Sequence, residues 1–211
     1  MADHDGMSQL ESVRVMFVCT GNICRSPMAE AILRDRLATG GVDAEVSSVG
    51  LLYTGRPASD GARHAMAALG LDLESHSSAT FGRAEIAAAN LVIGMEPRHV
   101  REVVALDDAA WPKTFTLREL DARAQRHGPR RLDETLAAWL GRVGLDRRRV
   151  DLLGDDPALS VLDPYHQSQA IYDATAADLR ATLDHLASRI WPRAGDRGPR
   201  AGVGDPNGAQ V

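Results

Sequence analysis

The sequence predicts an α/β fold in which a four-stranded parallel sheet carries helices on both faces. Short, nearly continuous apolar runs rich in β-branched residues alternate with longer segments of helical spacing. Strands that are apolar along their whole length are typical of a sheet covered on both faces. The 211 residues, 44% of them hydrophobic, are enough for one packed domain with an insertion.

Four segments have the pattern expected of the strands of this sheet. The first, VRVMFVC, is almost continuously apolar, and the second ends at Gly50. The predicted strands cover residues 13–19, 44–49, 90–95 and 113–117.

The predicted helices follow from capping signals and from apolar spacing. Ser26 is predicted to cap the first helix, and Pro27 suits its first position. Gly70 is predicted to close the second helix, and Pro97 to open the third. The later helices are predicted over residues 58–69, 97–106 and 172–190.

Three segments fall outside this alternation. Residues 1–12 and 193–211 are predicted to be disordered tails, the first acidic and polar, the second rich in Gly, Pro and Arg. Residues 118–158 are charged and arginine-rich, and are predicted to form a helical insertion near the edge of the domain. Its apolar stripe must be buried against this domain or a partner, and consists of Leu132, Leu136, Trp139, Leu140 and Val143.

Composition excludes several classes of function. The net charge of −5 argues against general nucleic-acid binding, which usually needs a basic face. The only cysteines, Cys19 and Cys24, exclude a disulfide scaffold and a four-thiolate zinc site, and neither a metal nor a cofactor is expected. The chain shows no signal peptide and no membrane-spanning run, so the expected location is the cytoplasm, away from membranes.

The stretch CTGNICRSP joins the first strand to the first helix and contains the residues that we predict to be catalytic. Such a turn lies at the carboxyl edge of a parallel sheet, where backbone N–H groups and the helix dipole form an anion cradle. A thiol there loses its proton easily, with pKa values of roughly 3.5 to 7.5 in comparable sites. Cys19 is therefore the predicted nucleophile, below a tetrahedral oxyanion that Arg25 grips through two of its oxygens.

The other positions of this stretch are predicted to shape the cradle. Gly21 permits a left-handed turn or a close approach of the backbone, Asn22 tolerates the same strain, and Ser26 can donate its hydroxyl to the thiolate. The remaining positions predicted to bind phosphate are Thr20, Ile23 and Cys24.

The full string CTGNICRSPMAE resembles the phosphate loop of the bacterial low-molecular-weight protein tyrosine phosphatases. The family's C-x5-R-S is matched by Cys19, Arg25 and Ser26, and the match extends through Glu30. The resemblance implies a flavodoxin-like fold and hydrolysis of phosphotyrosine proteins and aryl phosphates through phosphocysteine, without a cofactor. It covers residues 13–110 and 160–191, and leaves 118–158 as an extra insertion.

A leaving alkoxide or phenoxide needs a proton, so a carboxylic acid should reach the loop. Asp163-Pro164, within VLDPYHQ, resembles the family's acid loop, and Tyr165 would line the mouth of the pocket. GDDP offers a second Asp-Pro pair at Asp156. Tyr165 and the long helix that follows favour Asp163 as the general acid and, later, as the base that activates water.

Further positions resemble supporting residues of the family. Ser47 or Ser48, in SSVG, would support the loop asparagine, and Tyr53 falls near the aromatic wall that contacts substrate rings. His76 resembles a histidine bonded to the phosphate loop, although a surface histidine is an equal alternative. The counterpart of Cys24 in the family can form a reversible disulfide with the nucleophile; the alternative is a small packed residue.

Three other functions remain open. Protein arginine phosphatases share the loop but carry threonine where this chain has Ile23. Thioredoxin-coupled arsenate reductases need further cysteines, and none follows Cys24; a version assisted by a thiol cofactor needs fewer. A silent phosphopeptide-binding module is the alternative of another class, but it would not need Cys19, Arg25 and Asp163 together.

Overall fold

The computed structural model describes residues 13–192, so both predicted tails lie outside the described residues. Its four strands are all parallel and lie in the order β2-β1-β3-β4. They are β1 (Val13–Cys19), β2 (Ala44–Gly50), β3 (Leu91–Gly94) and β4 (Thr114–Thr116). The predicted flavodoxin-like α/β fold is confirmed.

Seven α-helices surround this sheet within the described residues. They are α1 (Arg25–Thr39), α2 (Asp60–Ala68), α3 (Arg83–Ala88), α4 (Pro97–Leu106), α5 (Leu117–His127), α6 (Leu136–Val143) and α7 (Gln169–Ile190). Short 3₁₀ turns span Asp108–Lys113, Arg149–Leu152 and Pro157–Leu159. No helix within residues 13–192 is long and apolar enough to cross a membrane.

The continuous apolar run of β1 has a direct structural cause. Successive side chains point to opposite faces of a strand, and both faces of this one are covered. Phe17 packs into a large core with residues of α1, α2, α5, α6 and α7. Val18 packs into a smaller core with residues of α3 and α4, such as Ile86 and Val103. Alternation of polar and apolar residues is therefore absent from β1.

Parallel pairing brings the ends of the strands to one edge of the sheet. Cys19 pairs with Gly50, and Val18 pairs with Gly94. The loops that follow β1, β2 and β3 consequently start side by side, which is where the predicted site should lie.

Two local predictions are wrong. Ser26 does not cap α1; the helix begins at Arg25, and the Ser26 hydroxyl inside its first turn bonds to the loop instead. Helix α2 begins at Asp60, capped by Ser59, whose hydroxyl accepts from the Ala62 N–H. Helix α3 was not predicted, because six residues with a single buried side chain, Ile86, show no readable periodicity.

Residues 118–158 pack against the main core of the domain. Trp139 and Val143 are fully buried, and Leu136 and Leu140 nearly so. Leu132 precedes α6 and is 67% exposed, so its predicted place in the apolar stripe is wrong. The rest of the stripe is buried by this domain and needs no partner.

Candidate active site

The turn between β1 and α1 places Cys19 among hydrogen-bond donors. Its sulfur accepts from the backbone N–H of Asn22 at 3.1 Å and from the Ser26 hydroxyl at 3.0 Å. The sulfur also lies at the amino end of α1, where the helix dipole favours negative charge. Donors and dipole together surround the sulfur with positive electrostatic potential.

Asn22 holds the loop in shape through every polar atom of its side chain. Its φ of 52° is left-handed, a conformation that asparagine tolerates. The amide nitrogen donates to Ser26 at 2.9 Å and Ser48 at 2.8 Å, while the amide oxygen accepts from the Ala79 N–H at 2.9 Å. Three separate segments therefore meet on one side chain.

Of the two serines predicted to support the loop, Ser48 is the one that touches it. Ser48 is buried, whereas Ser47 points to the other face of β2 and is exposed. The His76 ring lies with Nε2 2.7 Å from the carbonyl oxygen of Asn22, so this nitrogen carries the proton and donates. Gly50 allows the close approach of β2, because a Cβ there would lie 2.8 Å from the Asn22 nitrogen.

Arg25 is buried, and its guanidinium reaches two carboxylates. Nη1 donates to Glu96 at 2.9 Å and to the Val161 carbonyl at 3.3 Å, and Nη2 donates to Asp163 at 2.6 Å. The Asp163 side chain is 46% exposed, so it faces the opening above the loop. Asp156, the rival acid, instead caps a 3₁₀ turn by accepting from the Ala158 N–H.

A cleft of about 190 Å³ opens over the sulfur. Leu52, which the sequence analysis did not single out, lines it together with nine predicted residues: Cys19, Thr20, Gly21, Ile23, Cys24, Arg25, Tyr53, Asp163 and Tyr165. The predicted residues Asn22 and Ser26 lie beneath the loop instead. No residue of 118–158 lines the cleft.

A larger groove of about 400 Å³ lies behind the loop, along Arg34, Ser48, Asp72 and His76. No cysteine lines it. The groove meets the loop through Pro27 and through Ser48 and His76, whereas the sulfur of Cys19 faces the smaller cleft.

Cys24 differs from Cys19 in its surroundings. Its sulfur lies 3.0 Å from the Ser59 hydroxyl and 3.7 Å from the Tyr172 hydroxyl. Burial raises the pKa of the Cys24 thiol, which keeps it protonated. Gly61 leaves room for the tyrosine ring, since a Cβ there would lie 2.4 Å from it. The two thiols thus have different hydrogen-bond partners.

Two residues of this site, Glu96 and His99, had no assigned role in the sequence analysis. Both follow β3, at the same edge of the sheet as the loop. Glu96 binds Arg25, and the buried His99 ring lies 3.0 Å from the Thr20 hydroxyl. Glu96 and His99 are three residues apart at the start of a predicted helix, so their side chains share one face of that helix. This spacing is the pattern in the sequence that could have identified them as a pair. No group of three or more potential metal ligands occurs within the described residues.

Comparison with known families decides what kind of site this is. The family model described as low molecular weight phosphotyrosine protein phosphatase matches residues 14–134. The chain belongs to this family. The predicted resemblance to bacterial low-molecular-weight phosphatases is confirmed, as is the prediction of a cysteine-dependent phosphatase. Membership implies phosphoprotein substrates.

Individual relatives of this low-molecular-weight phosphatase carry two different names. The protein-arginine-phosphatase of Geobacillus stearothermophilus is 36% identical over 178 residues, which are 84% of this chain and 95% of that protein. The low molecular weight protein-tyrosine-phosphatase Etp of Escherichia coli K12 is 35% identical over 109 residues, 52% of this chain and 72% of that protein. A crystal structure of the low molecular weight protein tyrosine phosphatase from T. tengcongensis superposes with a TM-score of 0.64 at 29% identity, covering 85% of this chain and all of that one.

Proposed function

We propose that this phosphatase hydrolyses phosphotyrosine in proteins, with Cys19 as nucleophile, Arg25 as phosphate ligand and Asp163 as general acid. The thiolate attacks phosphorus, a P–S bond forms, and the P–O bond to tyrosine breaks as Asp163 protonates the departing phenoxide. Asp163 then takes a proton from water, whose oxygen attacks phosphocysteine and releases inorganic phosphate and the thiolate. The observation that carries this proposal is the 2.6 Å contact of Asp163 with Arg25, which brings acid and nucleophile to one cleft.

The contact between Arg25 and Asp163 also orders these steps. A phosphate that binds in the loop competes with the Asp163 carboxylate for the Nη2 proton donor. Glu96 and the Val161 carbonyl stay on Nη1 and keep the guanidinium in place. Phosphate binding therefore frees the Asp163 carboxylate to take up a proton from solvent and to turn toward the leaving group, while the arginine stays fixed.

The walls of the cleft favour an aromatic leaving group. Tyr53 and Tyr165 lie at the opening, and Ile23 and Leu52 add apolar surface. The guanidinium of Arg56 stacks 3.8 Å above the Tyr53 ring, which holds that wall in position. A flat phenyl ring buries apolar area between such walls, whereas the short side chain of phosphoserine does not reach them.

A second candidate substrate is phosphoarginine, because the relative aligned over 84% of this chain is named a protein-arginine-phosphatase. The apolar Ile23 side chain argues for tyrosine, since a threonine hydroxyl at this position can orient water. Turnover on peptides with phosphotyrosine, phosphoarginine or phosphoserine separates the candidates. We expect phosphotyrosine to be preferred; a higher kcat/KM on phosphoarginine would overturn the proposal.

The variants Ile23→Thr and Ile23→Val sharpen this test. They have nearly the same shape and differ in one hydroxyl, so valine is the matched control. The threonine variant should gain phosphoarginine turnover relative to the valine variant. If both variants behave alike, the side chain at this position does not determine the substrate preference.

The arsenate reductase alternative has its own test. Consumption of a thiol reductant that depends on arsenate would favour it.

We also propose that the enzyme works in the cytoplasm on a phosphotyrosine protein. Both cysteines are free thiols, and a nucleophilic thiolate stays reduced only in a reducing compartment. The net charge of −5 fits a protein partner better than a nucleic acid.

A further inference from the structure

His99 is a buried polar residue to which the catalytic scheme gives no role. It lies in the first turn of α4 and is fully buried. Gly94, the last residue of β3, makes room for it, since a Cβ at Gly94 would lie 3.0 Å from the Cβ of His99. A buried imidazole needs a reason, because burying a polar group costs free energy unless it is hydrogen-bonded.

The ring connects the two ends of the phosphate loop. Its Nε2 lies 3.0 Å from the hydroxyl of Thr20, the residue after the nucleophile. The same nitrogen lies 3.5 Å from one oxygen of Glu96, whose other oxygen accepts from Arg25 at 2.9 Å. A polar path therefore runs from Thr20 through His99 and Glu96 to Arg25.

The His99 ring is neutral, and its neighbours determine which ring nitrogen carries the proton. Burial, together with the nearby charges of Arg25, Arg98 and Arg101, lowers the pKa of His99 to about 3. Nδ1 is buried and has no hydrogen-bond partner among residues 13–192. A proton on Nδ1 would be a buried donor without an acceptor, whereas a proton on Nε2 has the Thr20 oxygen as its acceptor at 3.0 Å and the Glu96 carboxylate 3.5 Å away. The proton therefore belongs on Nε2.

We propose that His99 is a positioning residue for phosphate binding: its Nε2–H joins the Thr20 hydroxyl to the Glu96 carboxylate and so holds the Arg25 guanidinium in the loop. This inference rests on the proposed role of Arg25 as phosphate ligand. A neutral donor suits this place, because an imidazolium would compete with Arg25 for the Glu96 carboxylate. The ring thus orients the arginine without adding charge next to it.

Two replacements of His99 test the proposal through the affinity for inorganic phosphate and vanadate. His99→Leu removes the N–H, whereas His99→Gln places an amide N–H close to the position of Nε2. We expect the leucine variant to bind both anions about tenfold more weakly, the effect of one ordinary hydrogen bond, and the glutamine variant to recover most of that loss. A folded leucine variant with wild-type anion affinity would overturn the proposal.

Val103→Ala is the control for packing in the same helix. Val103 is fully buried one helical turn after His99 and packs in the smaller core with Val18 and Ile86, without a polar contact to the loop. This variant should unfold at a lower temperature and bind phosphate as the wild type does. An equal loss of affinity in Val103→Ala would make His99 a packing residue only.

Ring nitrogen spectra of the wild-type protein give an independent test that needs no variant. A long-range ¹H–¹⁵N experiment should show His99 as the neutral Nε2–H tautomer, unchanged between pH 8 and pH 5. An Nδ1–H tautomer, or titration in this range, would overturn the proposal. The protein could fail to hydrolyse phosphotyrosine peptides while its affinity for phosphate still depends on His99. That result would contradict the proposed substrate and leave the role of His99 intact.

Discussion

The side chains of Arg25, in the phosphate loop, and Arg147, in residues 118–158, are buried to nearly the same extent. They differ in how firmly their hydrogen-bond partners are held. Arg147 donates to Glu119 at 2.7 and 3.0 Å and to two backbone carbonyls, and it packs against the rings of Trp111 and Phe115. All of its partners are held by the fold. Arg25 has three partners, and one of them, the Asp163 side chain, is 46% exposed at the cleft. An arginine with one exchangeable partner can bind a ligand, whereas one with only fixed partners stabilises structure.

Two further arginines of residues 118–158 resemble Arg147 in their contacts. Arg123 donates to the carbonyls of Val143 and Leu145, at the end of α6. Arg142 donates to the carbonyls of His127 and Pro129, after α5. These carbonyls follow helices and have no partner within the helix, so the arginines satisfy them. Local structure thereby explains the presence of arginine at these positions of residues 118–158.

The largest effect is expected from Cys19→Ser. Turnover should be abolished because a serine hydroxyl, with a pKa far above 7, does not replace the thiolate. Arg25 and its partners are unchanged, so vanadate should still bind. Purified variant should be assayed with p-nitrophenyl phosphate and titrated with vanadate. Substantial residual turnover would defeat the assignment of the nucleophile.

Asp163→Asn removes the acid that is the exchangeable partner of Arg25. We expect a loss on the order of 10²–10⁴-fold in rate on substrates with poor leaving groups, because the amide cannot supply the proton. The loss should shrink for activated aryl phosphates, whose leaving groups need less protonation. Rates across a series of aryl phosphates measure this dependence.

Asp156→Asn is the matched control for the acid, because Asp156 also precedes a proline but caps a turn. It should keep wild-type rates across the same series. The opposite result, with the dependence on leaving group in Asp156→Asn only, would show that the other loop supplies the acid.

The third prediction concerns Arg147→Met, which should affect folding and leave catalysis unchanged. Removing Arg147 leaves Arg123, at 3.3 Å, as the ion-pair partner of Glu119, and it takes the donor away from the Trp111 and Thr114 carbonyls. We expect a loss of about 1–3 kcal/mol in the free energy of unfolding, the cost of leaving buried acceptors unsatisfied. Since no residue of 118–158 lines the cleft, kcat/KM of the folded variant should equal that of the wild type. Urea unfolding and an assay well below the unfolding temperature measure the two effects. A changed KM would mean that the insertion reaches the active site.

The phosphate loop was predictable because its residues are consecutive in the sequence. Cys19, Asn22, Arg25 and Ser26 form one turn, so their identities and spacing describe most of its geometry. The capping role of Ser26 was misassigned, because its hydroxyl has a second acceptor, the Cys19 sulfur, that a capping rule does not consider. The choice between Ser47 and Ser48 depended on which face of β2 meets the loop, and only the fold determines that.

Contacts between distant segments were less predictable. Glu96 and His99 lie next to Arg25 and Thr20 because β3 pairs with β1, a pairing that no local pattern reveals. Leu132 fits the helical spacing of the insertion but precedes the helix, so spacing alone assigned it to the buried stripe. Asp163 was predicted from the resemblance of its loop to the acid loop of the family. Its contact with Arg25 is the geometric support for its proposed role as general acid.

The order of the catalytic groups along the chain affects synthesis of the enzyme. Cys19 leaves the ribosome early, and Asp163 only after most of the domain has been translated. Arg25 obtains its partners from Glu96, Val161 and Asp163, so the guanidinium has no fixed orientation until the last of them appears. A nascent chain carries the thiol well before it carries the acid. The proposed mechanism therefore expects full phosphatase activity only from chains translated past Asp163, so activity would report completion of the fold.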